Sequence, residues 1–173
     1  FLTKSVYSTV ISVLTGVFAV VFPFLPRHLS LVSALTIGIP GFFLALMPNK
    51  ERFRPGFFRR VLAFAIPAGI IAAASAWTSY AVALWVSEPV LNAQKAATVS
   101  LFIVATGVLA ISARPLNLVR WGIIGLMVVS FAAVIYIPPL SEFFALSLSP
   151  EPYSLVAIAV GLAGAVAAGL LWI

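Results

Sequence analysis

The sequence predicts an all-α membrane protein, a six-transmembrane-helix bundle with a Pro/Gly-broken second helix. Three observations carry that prediction. Of the 173 residues, 63% are hydrophobic and only 8% charged, where a soluble domain carries about 25% charged residues. The apolar residues fall into six segments, each near the ~20 residues that cross a bilayer as a helix. The alternation of a membrane barrel strand is missing from all of them.

The six segments run 5–24, 29–47, 61–86, 96–113, 119–137 and 153–173. Phe1-Leu-Thr-Lys4 enters the first directly, with no charged region or cleavage site ahead of it. It therefore reads as part of a longer chain and not as a signal peptide. Ser5, Ser8, Ser12 and Thr15 are spaced 3, 4 and 3 apart in the first segment. That spacing puts them on one helical face, expected to look into the bundle and not at lipid. Pro23-Phe-Leu-Pro26-Arg27-His28 is short enough only for a tight hairpin, so segments one and two are expected side by side, with His28 at the interface.

The second segment contains Ser33-Ala-Leu-Thr36-Ile37-Gly38-Ile39-Pro40-Gly41, followed by Pro48 and Asn49. Pro40 has no N–H, so the carbonyl of Thr36 four residues back is expected to lose its helical donor. Gly38 and Gly41 leave the same turn without bulk. A freed carbonyl in hydrocarbon must be satisfied by protein, water or an ion. Broken helices with hydroxyls at the break are one place where ion pathways form. A kinked helix satisfied by its neighbours is the other reading.

The link 49–60 holds Lys50, Arg52, Arg54, Arg59 and Arg60 against Glu51. Threading six spans puts Lys4, Arg114 and Arg120 on the same side, leaving Arg27 and Lys95 opposite with Glu88, Glu142 and Glu151. Eight basic residues against two makes the first side cytoplasmic, with both ends of the segment there. Trp85, Tyr136 and Tyr153 at outer ends, with Trp121 and Trp172 at inner ends, read as an aromatic belt. In the third span Pro67 and Gly69 precede the Ala-rich run 72–76. The sixth span has Ala157, Gly161, Ala165 and Gly169 at four-residue spacing. These are read as faces on which helices pack closely. No internal repeat is evident.

Composition also excludes. The net charge of +6 sits in short links between apolar spans, so nucleic acid is not the partner. The chain contains no Cys and no Asp, and His28 is its single histidine. A thiol nucleophile, a catalytic triad and a His-based metal site are therefore out. No Asp, Glu, Lys or Arg falls near the middle of a predicted span, where proton relays and high-affinity divalent sites need one. With no Gly-rich phosphate loop or Walker-type lysine, the segment does not hydrolyse ATP by itself.

The run Leu35-Thr36-Ile37-Gly38-Ile39-Pro40, with Pro48 eight residues beyond Pro40, resembles the sixth membrane helix of P-type cation-transporting ATPases. The Phe-Phe-Leu-Ala-Leu run that follows is similar to the bacterial cation-transporting ATPase E group in particular. Phe1-Leu-Thr-Lys-Ser-Val-Tyr7 then looks like the start of the fifth helix, and the chain fits helices 5–10, the C-terminal membrane half. The resemblance implies that Ser33, Thr36, Ile37, Gly38 and Pro40 occupy the ion-site turn, and that Ser8 stands where calcium pumps place a fifth-helix glutamate. Ile37 stands where the family has an ion-binding aspartate. The eighth-helix carboxylate is missing too, with Thr98, Ser100 and Thr106 in that helix. These departures argue against a two-calcium site.

The function implied is part of the pathway of an ATP-driven cation pump, the cation being divalent, with calcium first and magnesium or manganese open. Ser8, Ser33, Thr36 and the backbone carbonyl of Ile37 are the candidate neutral-oxygen ligands, with Gly38, Pro40 and Gly41 forming the break. The segment itself holds no cofactor. ATP and Mg²⁺ belong to the intact pump, in which an upstream Asp is phosphorylated. The implied partners are the bilayer, the transported cation, upstream helices 1–4 and the cytoplasmic ATPase domains. The alternative is a free-standing six-helix protein, either channel-like or a non-catalytic assembly subunit.

Overall fold

Every apolar segment of the sequence is helical in the computed structural model, which describes residues 1–47, 56–86, 88–115, 117–147 and 152–171. The order is α1 (Leu2–Phe18), α2 (Pro26–Ser33), a π-helical turn (Ala34–Gly38), α3 (Ile39–Ala45), α4 (Phe57–Trp85), α5 (Val90–Ser112), α6 (Leu118–Tyr136), α7 (Pro138–Phe144) and α8 (Pro152–Leu170). No strand occurs among the described residues. Five stretches are long and apolar enough to cross a membrane: Pro26–Ala45, Phe58–Trp85, Val90–Ser112, Leu118–Tyr136 and Pro152–Leu170. The first helix, Leu2–Phe18, is apolar but shorter, at 17 residues.

That helix stops short of the expected Phe24 because Ala19 turns left-handed at φ 51°, a conformation that costs a residue with a Cβ about 1–2 kcal/mol. Pro26 then opens α2 at the position where its missing N–H breaks no helical bond. α5 begins at Val90, six residues before the expected Ala96, and so takes Gln94 and Lys95 into the helix. Asn117 caps α6, its Oδ1 accepting the Arg120 N–H at 2.9 Å. The short helix α7 has no counterpart in the sequence reading. Pro48, Lys50 to Arg54, Glu151 and Trp172, which the sequence reading assigned to a helix end, links and the belt, lie outside the described residues.

The core is a three-helix unit of α4, α5 and α8, with α1 laid against α4. Small residues set its spacing. Ala72, Ala73, Ala76, Ala93, Ala96, Ala97 and Ala157 are essentially inaccessible. A Cβ on Gly161 would stand 3.0 Å from Ile103, and one on Gly164 would stand 2.8 Å from Val104 and run into Ser75. One on Gly69 would meet Val6 of α1. Ala157 and Gly161 of the expected four-residue stripe are thus contact positions. Gly169 has open space around it, and Gly164 lies off the stripe. Phe102 of α5 and Phe131 of α6 stack with centroids 3.8 Å apart.

Three expectations about side-chain placement change. Ser5 and Ser12 of the hydroxyl stripe are exposed, Ser8 and Thr15 half-buried, and α1 instead fully buries Tyr7 and Ile11. Large apolar side chains occupy the packing face because they gain more from contact than a hydroxyl does. Trp85, Tyr136 and Trp121 are exposed as a belt requires, but Tyr153 is buried. His28 is fully buried and not interfacial, because its ring has a polar partner on α5, as shown next.

Candidate functional site: the π-helical turn before Pro40

The backbone does not unwind at the break. It changes register. Ile39 N–H bonds the Ala34 carbonyl five residues back, the π pattern. The physical cause is Pro40. In an α register the Thr36 carbonyl would await a donor that proline lacks, whereas a π register offers it the N–H of Gly41. The register also affects the neighbouring carbonyl. The Leu35 carbonyl receives neither Ile39, which is bonded to Ala34, nor Pro40, which has no N–H. Sequence reasoning places a freed carbonyl on Thr36, and the π bond from Ile39 to Ala34 adds that of Leu35. Single π turns of this kind recur at functional sites.

Pro40 is fully buried, while Gly38 and Gly41 are exposed. A Cβ on Gly38 would meet only the Ser33 carbonyl, at 3.7 Å, and one on Gly41 would meet nothing within 4 Å. The Gly38 side of the turn is therefore left open by the described residues, while Gly41 borders a cavity. The Thr36 hydroxyl, buried, donates to the Val32 carbonyl at 2.7 Å. This back-bond fills the last acceptor site of the preceding turn and bends helices. Ser33 Oγ is buried without a well-formed hydrogen bond and has the Tyr7 side chain as its polar neighbour.

The candidate ligands are only partly assembled. Ser33, Thr36 and Ile37 share the turn. Ser8 sits half-buried on α1, whose backbone does not closely approach the turn and whose Tyr7 side chain meets Ser33 just ahead of it. A cavity of about 260 Å³ runs beside the turn, lined by Thr36, Ile37 and Gly41 on one wall and by Lys4 and Tyr7 of α1 on another. Ser8, Ser33, Gly38 and Pro40 do not line it. Among the described residues no three His, Cys, Asp or Glu side chains converge, so the oxygens available at the turn are hydroxyls and carbonyls.

A second polar constellation, at the far end of the bundle, fixes how α2 enters the turn. The Thr98 hydroxyl donates to the Gln94 carbonyl at 2.7 Å and lies 3.0 Å from His28 Nδ1. The His28 ring therefore sits between the Thr98 hydroxyl and the backbone of Phe144 and Ala145. Gln94 Nε2 donates to the Phe22 carbonyl at 2.8 Å, and the Tyr80 hydroxyl to the Val21 carbonyl at 2.7 Å. Arg27 Nη1 donates to the Phe143 carbonyl, and Lys95 Nζ to Ser147 Oγ at 3.3 Å. The hairpin between α1 and α2 is thus tied to α4, α5 and α7. Sequence reasoning misses this cluster because every pair except Thr98–Gln94 is separated by more than fifty residues. The polar residues at the start of an apolar span, Gln94, Lys95 and Thr98, were its only signal.

The chain is 36% identical, over 99% of its length, to a calcium-transporting ATPase CtpE of Mycolicibacterium smegmatis. It is 33% identical, over 99% of its length, to the proteins of the same description from Mycobacterium bovis and Mycobacterium tuberculosis. It spans about a quarter of the length of these curated relatives (24%, 23% and 23%). No protein-family model and no solved structure matches the chain. The resemblance read from the stretch around Pro40 therefore holds across nearly the whole chain, and it is to one segment of much longer transport ATPases.

Proposed function

We propose that this chain is the C-terminal membrane half of an ATP-driven P-type cation pump, with calcium as the transported ion. It supplies one wall of the ion pathway at the π-helical turn before Pro40. The observation that carries this reading is the coincidence of that turn with a chain similar over 99% of its length to calcium-transporting ATPases. In this reading Leu2–Phe18 is a sixth crossing and the Lys4, Arg114 and Arg120 end faces the cytoplasm. ATP and Mg²⁺ act on domains outside this segment, which transmit their movement through α1.

The turn suits the task in two ways. Its backbone presents a carbonyl, that of Leu35, which the helix leaves without a donor. Ser33, Thr36 and the Ile37 carbonyl lie within one turn of it. These are the hard, neutral oxygens that Ca²⁺ accepts among its 6–8 ligands. A weak site of neutral oxygens also releases its ion readily, but it needs carboxylates from elsewhere to bind tightly. The exposed side at Gly38 leaves room for a further helix of the intact protein to bring them. Ser8, on a separate helix, joins such a site only if α1 moves relative to the turn, which is the kind of movement a pump cycle requires.

The test is ATP-dependent ⁴⁵Ca²⁺ uptake into inverted vesicles by the full-length protein. Pro40→Ala gives the turn its missing donor and should return it to a regular α register. Uptake is expected to fall at least about tenfold, a change of ~1.4 kcal/mol in coupling. Uptake within twofold of the parent would remove the turn from the pathway. No ATP-dependent uptake of Ca²⁺, Mn²⁺ or Mg²⁺ by the parent protein would overturn the pump reading itself.

A further inference from the structure

The cavity beside the turn has the wrong charge for a cation route. Its walls are apolar, including Leu44, Ala72 and Val108, and its polar groups are hydroxyls such as Thr3 and Ser112 together with the Lys4 ammonium. No carboxylate lines it. A divalent ion entering here would meet Lys4 with nothing to offset the repulsion. The surroundings have the same sign. Arg59 and Arg60 begin α4, Arg114 follows α5 and Arg120 lies in the first turn of α6, all at the end where the cavity opens. The glutamates among the described residues, Glu88 and Glu142, follow α4 and lie in α7, at the opposite end.

Apolar walls with a cationic mouth match an anionic amphiphile. We propose that this cavity is a binding site for an anionic phospholipid, one acyl chain lying between α1, α3 and α5 and the phosphate at Lys4, within reach of the Thr3 and Ser112 hydroxyls. At about 260 Å³ it is just under the ~300 Å³ at which small-molecule pockets begin. It admits part of one chain and leaves the headgroup at the mouth. Basic residues beside a bilayer attract anionic lipid at ~1 kcal/mol each, and Lys4 is the basic residue in the cavity's own lining. Because the cavity is walled by Ile37 and Gly41, an occupied chain would rest directly against the π turn and resist its movement. The proposal rests on the bilayer setting of the helices and is independent of whether an ion is pumped.

The experiment is native mass spectrometry of the full-length detergent-purified protein. It is titrated with phosphatidylglycerol or phosphatidylcholine of identical acyl chains. One phosphatidylglycerol per protein should be retained in clear preference to phosphatidylcholine. Lys4→Gln should cut that preference about fivefold, as the loss of one lysine near an anionic headgroup would. Ala105→Phe should abolish the retained adduct by filling the cavity. Gly41→Leu should do the same from the facing wall, at a position with open space, should the first variant fail to fold. Millimolar inorganic phosphate should not displace the lipid. Equal retention of the two lipids overturns the proposal. So does an adduct unchanged in Lys4→Gln and Gly41→Leu, or displacement by phosphate alone.

Discussion

Two apolar helices in this chain carry a proline preceded by isoleucine and followed within two residues by glycine, and they respond in opposite ways. In α4, Ile66-Pro67-Ala68-Gly69 is absorbed into 29 residues of uninterrupted α-helix. In the second membrane stretch, Ile39-Pro40-Gly41 follows a π turn. Each proline removes one donor, so the difference lies in where the orphaned carbonyl falls and what packs around it. Pro67 deprives Ala63, an exposed residue in the second turn of α4, where the basic end of the bundle gives headgroups and water access. Pro40 would deprive Thr36, buried near the middle of the 20-residue stretch Pro26–Ala45, where an unmade hydrogen bond costs most. Packing then fixes each outcome. α4 is clasped by α1, α5 and α8 through Ala68, Gly69, Ala72 and Ala76, which leave no room to insert a residue into its ladder. The turn before Pro40 is open on its Gly38 side, and a wider helical turn fits there.

The largest effect should come from breaking the tightly packed member of this pair. Gly164→Leu would drive a side chain into Ser75 and Val104 and separate α8 from α4 and α5. Overpacking of this kind costs about 1–3 kcal/mol or more, so folded protein in detergent should be largely lost, read by size-exclusion chromatography and the thermal unfolding midpoint. Gly125→Leu, with nothing within 4 Å of its Cβ, should leave the midpoint within a few degrees. Equal loss in both would mean that α8 is not held by close approach.

Next in size is the contrast between the two prolines. Pro40→Ala should sharply reduce Ca²⁺ uptake while leaving unfolding unchanged or slightly improved. Pro67→Ala should leave uptake within about twofold, since α4 already runs as α-helix and a helix-interior alanine is favourable. Backbone hydrogen exchange over 34–41 should slow in Pro40→Ala and stay the same in Pro67→Ala. If both variants lose uptake alike, prolines in this bundle act through general rigidity and the π turn has no special part.

Much of the fold is written plainly in the chain. Runs of about twenty apolar residues leave few alternatives to membrane helices, and Ala- and Gly-rich faces mark which of them pack closely. The candidate turn was legible as a fault, because Pro40 and its glycines state that a donor is missing. Its resolution was not. Whether a helix kinks, unwinds or widens depends on neighbours such as α5 and α6, which are remote in sequence. The burial of His28 was hidden for the same reason, since Thr98 lies seventy residues away. The hydroxyl stripe of α1 misled because spacing identifies a face without saying what that face meets.

The His28–Thr98 pair gives an intermediate effect that separates anchoring from transport. Thr98→Val removes the hydroxyl 3.0 Å from His28 Nδ1 and leaves that buried ring nitrogen without it, at ~1–3 kcal/mol. The unfolding midpoint should drop by several degrees. Thr98→Ser keeps the hydroxyl and should recover most of that loss. Because this cluster holds the entry of α2 at the far end from Pro40, uptake per folded molecule should fall far less than in Pro40→Ala.

The smallest effect tests the turn itself. The Thr36 hydroxyl is bonded to the Val32 carbonyl at 2.7 Å, and hydrogen bonds inside membrane bundles average about 0.6 kcal/mol. If that bond is all Thr36 does, Thr36→Val should cost roughly this much stability and leave the Ca²⁺ concentration for half-maximal uptake unchanged. If the hydroxyl oxygen also ligates the ion, its remaining lone pair is what matters. Thr36→Val should then raise the half-maximal Ca²⁺ concentration several-fold, and Thr36→Ser should restore it. The two roles are compatible in one oxygen, because donating its proton to Val32 turns its lone pairs toward whatever occupies the turn. A shift in Ca²⁺ dependence without a matching loss of stability would therefore place the ion at the π turn, on the side of the helix that the tightly packed α4 has no means to open.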